Sequence, residues 1–352
     1  MVVLRWFVML LAGLMVLWVG CAVFLSSITP ATWVAPPNPG LTGSFAPNTG
    51  LQAVSQLSTP SVGPEDVACG PDNTYYTGLE NGDILTWQEG EPPEVMVNTG
   101  GRPLGLKVDA DGRLVVADAI RGLLRVSSGQ IEVLADHHDG APLNFVDDLD
   151  IAADGTVWFS DASNRFGIHD NLLDFYEGSM TGRLLSWDPA TGTTKVHLTG
   201  LFFANGVALG PNDEYVLVNE TGLGRVKRLW LKGSKAGEQD FLIEALPGTP
   251  DNINFDGIDT FWIAMPSLRE NADQLAQQPF IRKLLSVLPG PLMTAVVKPT
   301  SFVIGVGLDG QVRENLQDPE FGYHYITSAT PCGNTLWLGS LAMRSVGKLS
   351  LD

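Results

Sequence analysis

The chain has 352 residues, 44% hydrophobic and 17% charged, enough apolar material for one large or two ordinary domains and no mark of wholesale disorder. Lys and Arg total 21 against 39 Asp and Glu, a formal net charge of −18. So acidic a surface repels nucleic acid, which excludes a nucleic-acid partner, and attracts cations. Three cysteines are too few for a disulfide scaffold, and no CxxC or Cys/His cluster points to zinc.

From Trp6 to Leu25 the chain is apolar and uncharged for 20 residues, long enough as a helix to cross a bilayer core of about 30 Å. Residues 1–28 therefore read as a membrane anchor. Arg5 precedes the segment and the next basic residue is Arg102, so the positive-inside rule places the N-terminus in the cytoplasm and the rest on the extracytoplasmic (periplasmic) side. A cleaved signal peptide, or a lipoprotein signal acylated at Cys21, stays open as an alternative. Residues 29–60, with Pro36-Pro37-Asn38-Pro39-Gly40, read as a Pro/Gly-rich linker.

From residue 61 to 352 one pattern returns six times: a β-rich run, a turn holding Asp, Asn or Gly, and a second β-rich run. The copies are Asp66–Gly78, Gly105–Asp118, Asp148–Asp161, Gly206–Asn219, Asn252–Ala264 and Ser328–Gly339. Further strand-like runs follow at Asp83–Trp87, Gly122–Val126, Arg183–Trp187 and Gly224–Trp230. About 49 residues per copy suits a four-stranded propeller blade. The predicted fold is all-β, a six-bladed β-propeller preceded by an N-terminal transmembrane helix. Two stretches break the rhythm. Thr193–Leu201 reads as a lengthened connection. The segment 270–300 contains Pro279–Leu288, apolar at helical spacing and stopped by Pro289-Gly290, and is predicted as a helix packed over one propeller face.

Aligning the copies exposes one column, two residues before the first apolar strand position, holding Glu65, Leu104, Asp147, Asn205, Asp251 and, within one residue, Thr327. In a propeller this position begins the innermost strand, so the six side chains converge on the central channel. Three carboxylates on one axis repel unless a cation neutralises them. Oxygen-only ligation by Glu65, Asp147, Asn205 and Asp251 suits Ca2+. His137 and His138, in a polar loop before Asp147, are minor acid/base candidates. No GxSxG elbow or P-loop is present. Cys69 and Cys332 fall in copies that a closed ring makes neighbours; they are read as two free, buried thiols, with a bridge as the alternative.

The segments GPEDVA (63–68), GRPLGL (101–106), FVDDLDI (145–151), TGRLLSWDP (181–189), FFANGVAL (202–209) and LPGTPDNI (246–253) resemble, in this order, the strictosidine synthase-like family. Its wider superfamily includes gluconolactonases, regucalcin-type lactonases, paraoxonases and diisopropylfluorophosphatase. The resemblance implies an anchored propeller with calcium in its channel, and hydrolysis of small esters or lactones in several members. It places the metal-binding residues on Glu65, Asp147, Asn205 and Asp251, the same set as the repeat column. Asp147 stands where the family usually has Asn. Strictosidine synthase itself uses a glutamate in its last blade, just before the final LYIG-like strand; here the corresponding run Ile326–Pro331 holds no acid, so its Pictet–Spengler condensation is not expected. The expectation is a calcium-dependent hydrolase of a small ester or lactone in which Asp251 activates water or attacks directly. The alternative is a non-catalytic, membrane-anchored calcium-binding scaffold. No protein partner is indicated.

Overall fold

The computed structural model describes residues 2–351. Six four-stranded antiparallel sheets follow one another around a central axis, as the six repeats predict. Their inner strands are Val67–Cys69, Pro103–Val108, Val146–Ile151, Ala204–Leu209, Ile253–Phe255 and Ile326–Cys332, each beside the next. Four of the six second strands, Leu114–Asp118, Val157–Asp161, Tyr215–Glu220 and Thr260–Ala264, are buried throughout, because each packs between neighbouring sheets and meets no water on either face. The core accordingly lies between blades, as where Ile253, Phe261 and Ile304 of blade five meet Ala208, Leu217 and Val226 of blade four.

Carboxylates tie blade to blade. Asp66 accepts from the Leu106 N–H at 3.1 Å, Asp148 from Val207 at 2.8 Å and Asp150 from Leu209 at 2.8 Å. Each satisfies a backbone donor that the neighbouring inner strand would otherwise bury unpaired. Gly105 makes one such approach possible, since a Cβ there would come within 2.3 Å of Asp148 Oδ1.

Several expectations are revised. Thr193–Leu201 is the outer strand of blade three and not a connection; it pairs with Gly182–Asp188. Residues 29–60, expected as a linker, pack on the domain. Ser55–Ser58 completes blade six by pairing with Ser345–Ser350, and residues 29–37 run as a strap across one face. Cys69 and Cys332 are joined as a disulfide, with Cα atoms 6.4 Å apart; the reading as free thiols does not hold. Ring closure brings the two cysteines' inner strands side by side, as the repeat order implies, and the fold sets their Cα atoms within bonding range. The ring is thus closed twice, by strand pairing and covalently.

The N-terminal segment is a helix, α1 (Val2–Leu25). Among the described residues, however, no helix is long and apolar enough to cross a membrane. The span expectation leaned on Val8, Leu11, Ala12, Val16, Ala22 and Val23, whose side chains lie outside the described residues, as does that of Cys21. Two excursions leave the sheets. Helix α2 (Asn171–Glu177) lies between the second and third strands of blade three. The 270–300 segment, between those of blade five, forms α3 (Glu270–Leu275), α4 (Pro279–Leu285) and α5 (Gly290–Met293). In each blade the inner strand starts on one face of the ring and the second strand returns to it. Loops after second strands therefore overhang the face where the column residues sit.

Candidate active site

A single chamber lies beneath these excursions. Glu65, Leu104, Asp147, Asn205 and Asp251 form its floor and Trp33, Phe145, Phe175, Phe203, Leu268 and Leu275 are among its apolar walls. The structure thus brings five of the six column residues into one space. Thr327 stands behind them, its hydroxyl donating to the Glu65 carbonyl at 2.7 Å. The inner strands are irregular at this level: register shifts fall between Pro103 and Leu106, Val146 and Leu149, Ala204 and Val207, and Ile326 and Ser328. A bulge re-aims a side chain, and here four shifts bracket Leu104, Asp147, Asn205 and Thr327. His137 and His138 lie elsewhere, on Asp136 and on Thr194 Oγ1, each at 2.9 Å.

The floor is buried: Glu65 is 2% exposed, Asp147 3%, Asn205 4% and Asp251 7%. Burial pushes the Glu65 carboxyl well above the usual range, and Asp251, Asp147 and Asp66 push it further. Asp147 is raised in the same way, by burial first and then by Asp251 and Asp148. Burial carries Asp251 up to about 7, against a hydrogen bond from Asn205 that favours its ionised form. Arg102, itself buried, offsets part of the repulsion on Glu65 and Asp147.

The donor set suits a hard cation. Three buried carboxylates face one another with one arginine among them, and the Asn205 Oδ1 is buried without a hydrogen-bond partner. The Asn252 Oδ1 is likewise unpartnered, while its amide donates to Glu65 at 3.2 Å. An unpaired buried carbonyl oxygen beside acidic groups can take a cation or a water as its partner. The carboxylates are spread around the axis: among the described residues, no three His, Cys, Asp or Glu are gathered as a metal-holding group.

The backbone behind the floor is fixed. The Asp251 N–H donates to the Ala264 carbonyl at 2.9 Å, and the Asp251 carbonyl accepts from Gly206 at 3.1 Å. Arg102, Asn252 and Tyr325 were not singled out from the sequence. Asn252 adjoins the column and Arg102 lies two residues before it, so adjacency was the available signal. Tyr325, at a positive φ of 55°, carried none; burial raises its phenol, with Asp251 adding to the effect.

The roof also went unrecognised. Trp33 of the strap packs edge-on to Phe202 with ring centroids 5.1 Å apart. The Ala31 N–H donates to the Glu177 carbonyl at 2.8 Å and the Thr29 N–H to its carboxylate at 2.8 Å. Arg269 clamps the strap at the Pro36 carbonyl at 3.1 Å and pairs with Asp273 at 2.9 Å. Gly178 ends α2 with φ 65°, and a Cβ there would sit 2.9 Å from the Trp33 ring. Only glycine suits both the left-handed turn and that approach.

Fold and floor together define a six-bladed propeller with an acidic, oxygen-lined channel mouth. In solved structures the same fold is found in a gluconolactonase from Xanthomonas campestris (17% identity, TM-score 0.63, covering 92% of this chain and 98% of that one). It is found too in a calcium-binding protein, regucalcin, from Agrobacterium tumefaciens (13%, TM-score 0.61, 84% and 93%). The family model for strictosidine synthase matches residues 147–234, and that for the strictosidine synthase-like N-terminal region matches 43–87. The protein strictosidine synthase-like 6 of Arabidopsis thaliana is 35% identical over 82% of this chain and 79% of its own. The adipocyte plasma membrane-associated protein of Gallus gallus is 33% identical over 98% and 90%. The chain belongs to the strictosidine synthase-like family.

Proposed function

We propose that this protein is a calcium-dependent hydrolase of small esters or lactones, attached to a membrane by α1. The carrying observation is the floor itself: Glu65, Asp147 and Asp251 buried in mutual repulsion beside the unpaired Asn205 Oδ1. These four residues would hold the ion. A bound Ca2+ would supply polarisation of the substrate carbonyl and stabilisation of oxyanion charge. Asp251 would take the proton from the attacking water. Beside a bound cation this carboxylate would stay ionised, the form a general base needs. Asn205 orients that carboxylate, and the apolar roof keeps bulk water from the reacting atoms. The solved propellers support lactone chemistry and calcium only by analogy of fold.

The disulfide supports an oxidising, extracytoplasmic compartment, and the membrane-associated name of the chicken relative supports attachment. Uncharged helix after Arg5 would carry that attachment, with the propeller outside. The rival is an anchored calcium-binding scaffold, which the calcium-binding propeller of Agrobacterium tumefaciens supports by analogy of fold. Phenyl acetate and a lactone panel, assayed with and without chelator, decide between them. Asp251→Asn should lose about 10²–10⁴ in turnover at saturating calcium. A protein that binds calcium but turns over nothing in the panel is the scaffold. Alkaline washing of membranes and a reporter fused after Asp352 test the attachment: release of the protein, or a cytoplasmic reporter, sinks it.

A further inference from the structure

The roof of the chamber holds a cation that no acid balances. Arg282 of α4 lines the chamber and is 1% exposed. Its guanidinium donates to the Tyr176 carbonyl at 2.8 Å, to the Ala276 carbonyl at 3.4 Å and to the Ala31 carbonyl. It lies over the Trp33 ring, 4.4 Å from the centroid. All these partners are neutral. Among the described residues no carboxylate forms an ion pair with it. The acids of α2, which packs against α4, are engaged elsewhere, Glu177 with Arg165 at 2.6 Å and Asp174 with Ser163 and Ser179.

Two donors in this corner are buried without partners, Arg282 Nε and Trp33 Nε1. Both belong to side chains lining the chamber. A buried guanidinium with neutral partners and a spare N–H is costly unless something completes it. An anionic oxygen group does so best, because a planar guanidinium matches it in charge and geometry.

The chamber is therefore polarised end to end. Its floor is acidic, its walls are aromatic and aliphatic, and its roof is lined by the Arg282 cation and by Trp33, each with one buried N–H that has no partner. We propose that the substrate is an ester or lactone whose apolar body carries a carboxylate, held at the roof by Arg282 and Trp33 while the reacting carbonyl faces the floor. The reacting end in this inference rests on the hydrolase reading; the carboxylate subsite does not. The roof attracts the anionic end, which leaves the reacting carbonyl toward the floor. Neutral sugar lactones satisfy neither the walls nor the roof.

The test is calorimetric binding to the full chain in detergent. It compares 4-phenylbutanoate with 4-phenylbutan-1-ol, two unreactive probes of similar size that differ in charge. Chelator is present throughout, so that no floor ion captures the carboxylate. The wild type should bind the carboxylate ten- to hundred-fold more tightly than the alcohol, the range of a charged hydrogen-bonded pair. Arg282→Met should erase that preference while leaving affinity for the alcohol within about three-fold, and Arg282→Lys should keep part of it. Trp33→Phe should weaken carboxylate binding several-fold. Equal affinities in the wild type, or a preference that survives Arg282→Met, overturn the proposal. If Arg282→Met does not fold, the wild-type comparison and Arg282→Lys decide. Carboxylate preference without turnover of any ester would sink the hydrolase reading and leave the subsite standing; turnover without preference would do the reverse.

Discussion

Replacing both bridging cysteines, Cys69→Ser with Cys332→Ser, should lower stability by about 3–5 kcal/mol. The bridge closes a chain segment of 263 residues. The chain-entropy relation gives about 5.6 kcal/mol for such a loop at 25 °C. That is an upper figure, because denatured chains retain compact structure and lose less entropy on cross-linking. In the variant, the ring is held closed by non-covalent contacts, chiefly Ser55–Ser58 pairing with Ser345–Ser350 and the packing of Tyr75 and Trp87 on Trp337. Contacts of this kind cannot replace a covalent link. Calorimetry of the full chain in detergent should show the transition falling by roughly 5–8 °C, given the unfolding entropy expected for about 300 residues. Wild-type protein treated with reductant should fall by a similar amount, and the variant should not respond to reductant. A variant within about 1 kcal/mol of wild type would refute the reasoning and assign ring closure to these contacts alone.

Glu65→Gln with Asp251→Asn removes two of the three floor charges, and calcium binding should drop below calorimetric detection; unchanged affinity would refute the ligand set. His197, whose imidazole is pulled down to about 4 by burial and by Lys195, packs on Trp158 and hydrogen-bonds Ser186. Its folded pKa lies below the unfolded value near 6.5, so the unfolded chain binds the extra proton and stability falls as pH drops from about 6.5 to 4. Partial exposure limits the effect to about 1–2 kcal/mol, and His197→Gln should flatten that part of a stability-versus-pH curve measured by denaturant. His137→Ala and His138→Ala should leave ester turnover within roughly two-fold, because neither residue reaches the chamber; a large loss would reopen the acid/base alternative.

The blade count was legible in the sequence because each blade repeats a local device. A hairpin with its turn residues, such as Asp109–Gly112, is specified within a dozen positions, and six copies of one device leave few architectures open. The floor was legible for the same reason. Rotational repetition turns a column in an alignment into a ring in space, so Glu65, Asp147, Asn205 and Asp251 could be gathered before any coordinates. What local pattern could not encode was contact between elements outside that symmetry. Trp33 belongs to a Pro-rich stretch that reads as linker, and it becomes a chamber wall only because Arg282, Gln277 and Glu177 hold the strap in place. Cys69 and Cys332 bond because the ring closes. The bulges that aim the floor side chains inward depend on neighbouring strands. Repetition and turn chemistry act over short separations and are written in the sequence. The roof, the bridge and the polarised chamber arise from long-range packing, which only the folded ring decides.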